Sequence, residues 1–259
     1  MSFDVPAALA HVRAAINGAD IRTEPFPHVV ALDVLPGEVY RSLLASWPPA
    51  ELLVFTNSNR RRQLTLEVDL EKFPPEIREF WRTMSVVTEA ATRLLVARLR
   101  PHFGVKLAPL IGDDWSAELD RCELVSRSTA LASYNGQIEL PPHVDHVRIL
   151  TNAFLYCSEL DRVEPELGTW LYRSLGLALP TNIQLRRQHL DMCLRRHTLV
   201  PYQANSCLAY VNGPTSFHGV EPADIGARER RLLLFSSRLK IKDVSRLLGE
   251  AFVAPPRPE

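Results

Sequence analysis

The sequence predicts an α+β fold, with a helical N-terminal half packed on a β-rich C-terminal half. Three observations carry that expectation. From Pro74 to Arg100 the apolar residues recur at steps of three and four, the period of one helix face. After about residue 119, short β-rich runs follow one another with turn residues between them, which indicates an antiparallel sandwich or barrel. The 259 residues are 46% hydrophobic and 23% charged, enough to bury a sizeable core. The expected organisation is one unit over 1–259: a helical part at about 1–118, a β-rich core at about 119–240, and a C-terminal tail at 241–259.

Residues 7–17 read as a short helix ended near Gly18. Pro25 and Pro27 lead into His28–Leu35, a buried strand by its apolar run. Pro36 suits the first turn of a helix to about Ser46, stopped by Pro48 and Pro49. Residues 52–68 hold strand-like stretches around the run Arg60-Arg61-Arg62, most simply a solvated loop. The long helix follows, with Ile77, Phe80, Trp81, Met84, Val87, Ala91, Leu94 and Leu95 on one face, and Pro101 ends it. The β-rich runs are 121–135, 149–157, 168–173, 197–201, 206–211 and 231–239. Residues 180–196 are polar and Arg-rich, an insertion with a short helix.

Lys+Arg and Asp+Glu each number 30, so the formal charge is zero and no nucleic-acid or membrane partner is expected. No apolar run approaches the ~18 residues of a membrane span. Cys122, Cys157, Cys193 and Cys207 lack zinc or C-x-x-C spacing and read as reduced thiols. The first twenty residues lack a signal-peptide pattern, so a cytoplasmic protein is expected. Phosphate-loop, dinucleotide and nucleophile-elbow motifs are all missing.

The residues that carry chemistry are His143, Asp145 and His218. In an extended strand, His143 and Asp145 at i and i+2 point to the same side, where an imidazole and a carboxylate can reach one metal ion. His218 follows the apolar run Ser206–Asn212 and could complete the site from a neighbouring strand. Two imidazoles and one carboxylate leave positions open on an octahedral ion, the arrangement of non-heme Fe(II) oxygenases. The H-x-D triplet alone is equally a strand-end histidine bonded to its aspartate. Arg228 follows His218 by ten residues, and a hairpin between them would return a guanidinium beside the metal to pair with the far carboxylate of 2-oxoglutarate. Arg230 shares its strand parity and is the second candidate; Arg231 faces the other side.

With this spacing, and with the His218-Gly-Val-Glu-Pro222 phrase, the chain resembles the 2-oxoglutarate/Fe(II)-dependent dioxygenases of the prolyl-hydroxylase-like branch. Tyr134-x-Gly136, Leu167-Gly-Thr-Trp-Leu-Tyr172 and Pro25-Phe-Pro-His-Val also resemble these enzymes, and the likeness covers roughly 24–240. It implies a distorted double-stranded β-helix, jelly-roll or cupin-like, buttressed by the N-terminal helices. It implies Fe(II) on His143, Asp145 and His218, 2-oxoglutarate on Arg228, Tyr134 near the co-substrate, O₂ as oxidant and ascorbate as accessory reductant. The implied reaction hydroxylates a C–H bond of a small molecule or an amino-acid or peptide side chain while 2-oxoglutarate becomes succinate and CO₂. Asp145 favours hydroxylation over halogenation, since halogenating relatives carry Gly or Ala there. Glu166-Leu167-Gly168 departs from the two glycines of many prolyl hydroxylases, which puts a peptidyl-proline substrate in doubt. The alternatives are a non-catalytic sensor or scaffold on the same fold and a hydrolytic zinc site.

Arg148 and Trp170 are substrate-pocket candidates. His146 should point away from the site on an extended strand. His189, His197 and the arginines of 180–196 are either a solvated face or a lid for an anionic substrate, and Arg60–Arg62 offers a similar choice.

Overall fold

The structure, a computed structural model, describes residues 3–56, 61–159, 162–183 and 185–249. Among the described residues, six α-helices lie before residue 121: α1 (Val5–Gly18), α2 (Gly37–Ala45), α3 (Leu66–Asp69), α4 (Pro75–Leu99), α5 (Gly104–Ile111) and α6 (Trp115–Asp120). Asp4 caps α1 by accepting the Ala7 N–H at 3.0 Å, and a proline sits in its first turn. In α4 the expected stripe is the buried one, from Phe80 and Trp81 to Ala91 and Leu95. The short helices α5 and α6 were not anticipated.

The strands are β1 (Ile21–Arg22), β2 (His28–Ala31), β3 (Val54–Phe55), β4 (Arg62–Thr65), β5 (Leu124–Tyr134), β6 (Gln137–His143), β7 (Ile149–Tyr156), β8 (Val163–Ser174), β9 (Leu194–Gln203), β10 (Ser206–Val211), β11 (His218–Asp224) and β12 (Arg230–Leu239). Among the described residues they form an eight-stranded sheet, β1-β2-β10-β7-β12-β5-β4-β3, and a four-stranded sheet, β6-β11-β8-β9. The expected strand 28–35 ends at Ala31, because the chain turns at Asp33 with φ +47° and the Asn205 side chain then binds both backbone groups of Leu35. The N-terminal part is therefore not purely helical: β1 to β4 form the outer strands of the large sheet. The short helix of the insertion is α7 (Arg187–Cys193), whereas residues 194–196 belong to β9. The expected tail begins with a helix, α8 (Ile241–Leu248), whose Val244 is buried with Phe103 and Leu107 of the α5 region. Residues 250–259 lie outside the described residues.

Alternation along each strand sorts its side chains between two layers. Leu131, Ala153, Leu155, Ala209, Leu233 and Phe235 face the helices and pack on α1 and α4. Their neighbours Ala132, Phe154, Leu208 and Leu232 face the small sheet and meet Leu167, Leu171, Val200 and Val220. The two sheets thus close over one apolar interior, with helices on the back of the larger one, as expected for a buttressed double-stranded β-helix. Among the described residues no helix is long and apolar enough to cross a membrane.

Candidate metal centre

Strands β6 and β11 pair antiparallel, and His218 stands directly opposite His143. Their ring centroids are 4.3 Å apart. Asp145 reaches them by a route other than the expected extended strand, since β6 ends at His143. The chain then bends, and Asn212 just after β10 fixes it: Asn212 Oδ1 accepts the Asp145 N–H at 3.0 Å, and its Nδ2 donates to the carbonyls of His146 and Ile149, both at 3.1 Å. Asp145 Oδ1 comes to 3.9 Å from His143 Nε2, and Oδ2 to 3.8 Å from His218 Nε2. The three ligand atoms lie within 4.8 Å of one another.

The histidines are oriented alike. His143 Nδ1 lies 3.0 Å from the Pro141 carbonyl, and His218 Nδ1 lies 3.1 Å from that of Ser216. A carbonyl only accepts, so each Nδ1 carries the proton and each Nε2 keeps its lone pair. Burial, with His143 adding to it, pushes the His218 pKa down to about 4, so the ring is neutral at pH 7. Burial alone would raise the pKa of Asp145. His218 and His143, with hydrogen bonds from Tyr210 and Asn152, outweigh it and hold the carboxyl below the usual range.

Tyr210 and Asn152 belong to the site although their role was not foreseen. The Tyr210 hydroxyl donates to Asp145 Oδ2 at 2.5 Å and lies 2.8 Å from His218 Nε2. Asn152 Nδ2 donates to the same carboxylate oxygen at 2.9 Å. The available signal was parity: both polar groups share the inward face of strands otherwise lined by Leu208, Phe154 and Tyr156.

Arg228 is not brought to the site, which corrects the expected co-substrate arginine. Strands β11 and β12 do not form a hairpin; they belong to different sheets, and β11 leads away from His218. Arg228 lies in the turn between them, half-exposed, paired with Glu164 at 2.5 Å. Arg230 opens β12 and is buried. Its Nε donates to the Leu167 carbonyl at 2.7 Å, and its guanidinium lies 5.5–5.7 Å from the ring centroids of Tyr134, Tyr156 and Tyr202. Tyr134 is thus beside Arg230, in the barrel interior. Trp170 is a second correction. Leu171 faces inward, so Trp170 faces outward and packs with Tyr172 and Leu190, with Arg196 over its ring.

Arg148 makes a long bond, 3.5 Å, from Nε to the Leu239 carbonyl. His146 Nδ1 accepts the Arg148 N–H and takes no part in the cluster. His189 and His197 are exposed. In the insertion, Arg187 and Arg196 both pair with Glu221, so these cations are engaged on the outer face. Of the triple-arginine run, Arg60 lies outside the described residues, Arg62 stacks on Phe55, and Arg61 lines a cavity of about 420 Å³ together with His143 and Asp145.

No protein-family model and no curated protein matches the sequence. Solved structures do match in fold. A prolyl hydroxylase from Trichoplax adhaerens, in complex with a fragment of the hypoxia inducible factor oxygen degradation domain, superposes with a TM-score of 0.53 at 10% identity, over 93% of this chain and 94% of that one. HygX from Streptomyces hygroscopicus, bound to nickel and 2-oxoglutarate, gives 0.48 at 13% identity over 82% and 83% of the chains. A Pseudomonas putida prolyl-4-hydroxylase gives 0.43 at 14% identity over 88% and 98%. The first match carries the assignment: this chain has the double-stranded β-helix fold of a prolyl hydroxylase, with a His-Asp-His cluster at one end of its interior.

Proposed function

We propose that the chain is an Fe(II)- and 2-oxoglutarate-dependent oxygenase that hydroxylates a C–H bond of a small molecule or an amino-acid side chain. The reading is carried by the convergence of His143, Asp145 and His218, with the two Nε2 atoms 3.9 and 3.8 Å from the oxygens of one carboxylate. The donor set fits ferrous ion, two neutral nitrogens and one anionic oxygen. The interior also fits the co-substrate. Arg230 is a buried cation whose partners are a carbonyl, a hydroxyl and aromatic faces, so a ligand carboxylate would supply the missing counter-charge. Iron and 2-oxoglutarate, when bound, supply the oxidising power for C–H cleavage, with succinate and CO₂ as by-products.

The residues themselves bind and orient. Pro141 and Ser216 fix the imidazole tautomers, Tyr210 and Asn152 hold the Asp145 carboxylate, and Asn212 pins the loop that carries it. Tyr134, Tyr156 and Tyr202 surround Arg230 and keep water from it. Protein loaded with iron under anaerobic conditions, then given O₂, ascorbate, 2-oxoglutarate and a panel of amino acids, peptides and small molecules, should release succinate. Asp145→Ala should abolish it. Arg230→Gln should raise the KM for 2-oxoglutarate, and Arg228→Ala should leave it unchanged. No succinate from iron-loaded wild type with any member of the panel would overturn the reading.

A further inference from the structure

The inner face of the large sheet carries a row of residues at the level of the metal cluster. Tyr210 stands opposite Asn152, Asn152 opposite Ser236, and Ser236 opposite Arg127. Residues directly opposite share a face, so Arg127 projects from the same surface as the two residues that hold Asp145. Arg238, two positions beyond Ser236 on β12, keeps that face. Arg61 lines the cavity beside His143 and Asp145. The Nε atoms of Arg61 and Arg238 are buried without a hydrogen-bond partner among the described residues.

These arginines repel one another. Arg238 is held down to about 10, first by burial, then by Arg127 and Arg148. Burial and Arg61 lower Arg127 in the same way. Asp145, which a metal ion would occupy, is a carboxylate whose charge acts on both Arg127 and Arg238. The contrast with the insertion is direct, where Arg187 and Arg196 already have Glu221. Guanidiniums that repel one another, one of them lining the cavity beside His143 and Asp145, favour an anion, and planar forks suit phosphate and carboxylate oxygens. The co-substrate is not that anion: Arg230 and Arg238 are separated by on the order of 25 Å along β12.

We infer that the substrate carries a multiply charged anionic group, a phosphate or a set of carboxylates, seated on Arg61, Arg127 and Arg238, with its reacting carbon at the His143–Asp145–His218 cluster. The word substrate rests on the oxygenase reading; the anion site does not. The test therefore uses the metal-free full chain. Inorganic pyrophosphate and propane-1,2,3-tricarboxylate are titrated separately by calorimetry at fixed ionic strength. One-to-one binding of either is expected, and the tighter arm tells phosphate from carboxylate. Arg127→Gln and Arg238→Gln should each weaken it at least about ten-fold, while Arg195→Gln on the outer face should not. Ser236→Asp, which places a carboxylate inside the row, should abolish it even if an arginine variant fails to fold. Saturating 2-oxoglutarate should not displace the anion. Absence of binding, equal affinity in the variants, or displacement by 2-oxoglutarate would overturn the inference. Succinate release, assayed separately, decides the oxygenase reading by itself.

Discussion

At the scale of single residues, Asp145 is held unevenly. Tyr210 and Asn152 both donate to Oδ2, whereas Oδ1 faces His143. Orientation of a ligating carboxylate by such partners typically governs affinity by ten- to a hundred-fold. Tyr210→Phe keeps the ring and removes one of the two bonds, so it should weaken Fe(II) or Co(II) binding by about ten-fold; competition against a chelating dye measures this, and unchanged affinity would refute the role. Gly219 is as constrained. A Cβ there would meet the Leu140 carbonyl oxygen at 2.5 Å and the Pro142 nitrogen at 3.1 Å, both backbone atoms of β6. The neighbouring pair is His218 opposite His143. Gly219→Ala should therefore separate the strands where the imidazoles meet. The expected result is a melting temperature lower by several degrees, for a cost of about 1–3 kcal/mol, together with a loss of metal affinity.

At the scale of elements, α4 was legible and the sheet edges only in part. Twenty-five residues average out local noise, so one apolar stripe at helical spacing identified α4. The strand-like stretches read over 52–68 hold β3 and β4, whereas the two residues of β1 carry too few side chains for a period to show; β1 pairs on the open edge of β2 and β4 on that of β5. Six longer strands, β5, β7, β8, β9, β10 and β12, were found with ends moved by up to five residues, since apolar runs mark the buried middle and not the last ladder bond, whereas β11, read as one arm of a hairpin to Arg228, was not among the runs. The role of α4 as a buttress predicts a separation of stability from site. Leu95 is buried against the helix-facing side of the large sheet, away from the barrel interior. Leu95→Ala should cost about 2–5 kcal/mol, read from denaturant midpoints, while metal affinity of the folded fraction stays at the wild-type value. A parallel loss of affinity would mean that the helix layer shapes the site.

Across the whole molecule, the convergence of His143, Asp145 and His218 was readable because H-x-D and a distant histidine have few other uses together, but the choice between Arg228 and Arg230 was not. Counting from His218 cannot show where β11 ends or which sheet the chain enters next, and those two facts place Arg228 in solvent and Arg230 in the interior. The same limit applies to charge. Thirty cations balance thirty anions over the chain, yet around Asp145 the fold gathers Arg127, Arg238 and Lys106. Lys106 is the extreme case, buried on α5. Burial pushes its ammonium down to about 7, with Asp145 opposing. An unfolded lysine titrates near 10.4, so between about pH 7 and pH 10 the unfolded chain holds a proton that the folded chain has released. Stability in that window therefore rises with pH, and at pH 7 it is short by most of the penalty. Lys106→Met removes the group from both states. The variant should be more stable than wild type at pH 7, by on the order of 4 kcal/mol at most, and the difference should shrink toward zero as the pH approaches 10. Urea unfolding of both proteins at pH 7, 8.5 and 10 measures it, and a difference independent of pH would show that Lys106 stays charged in the folded state.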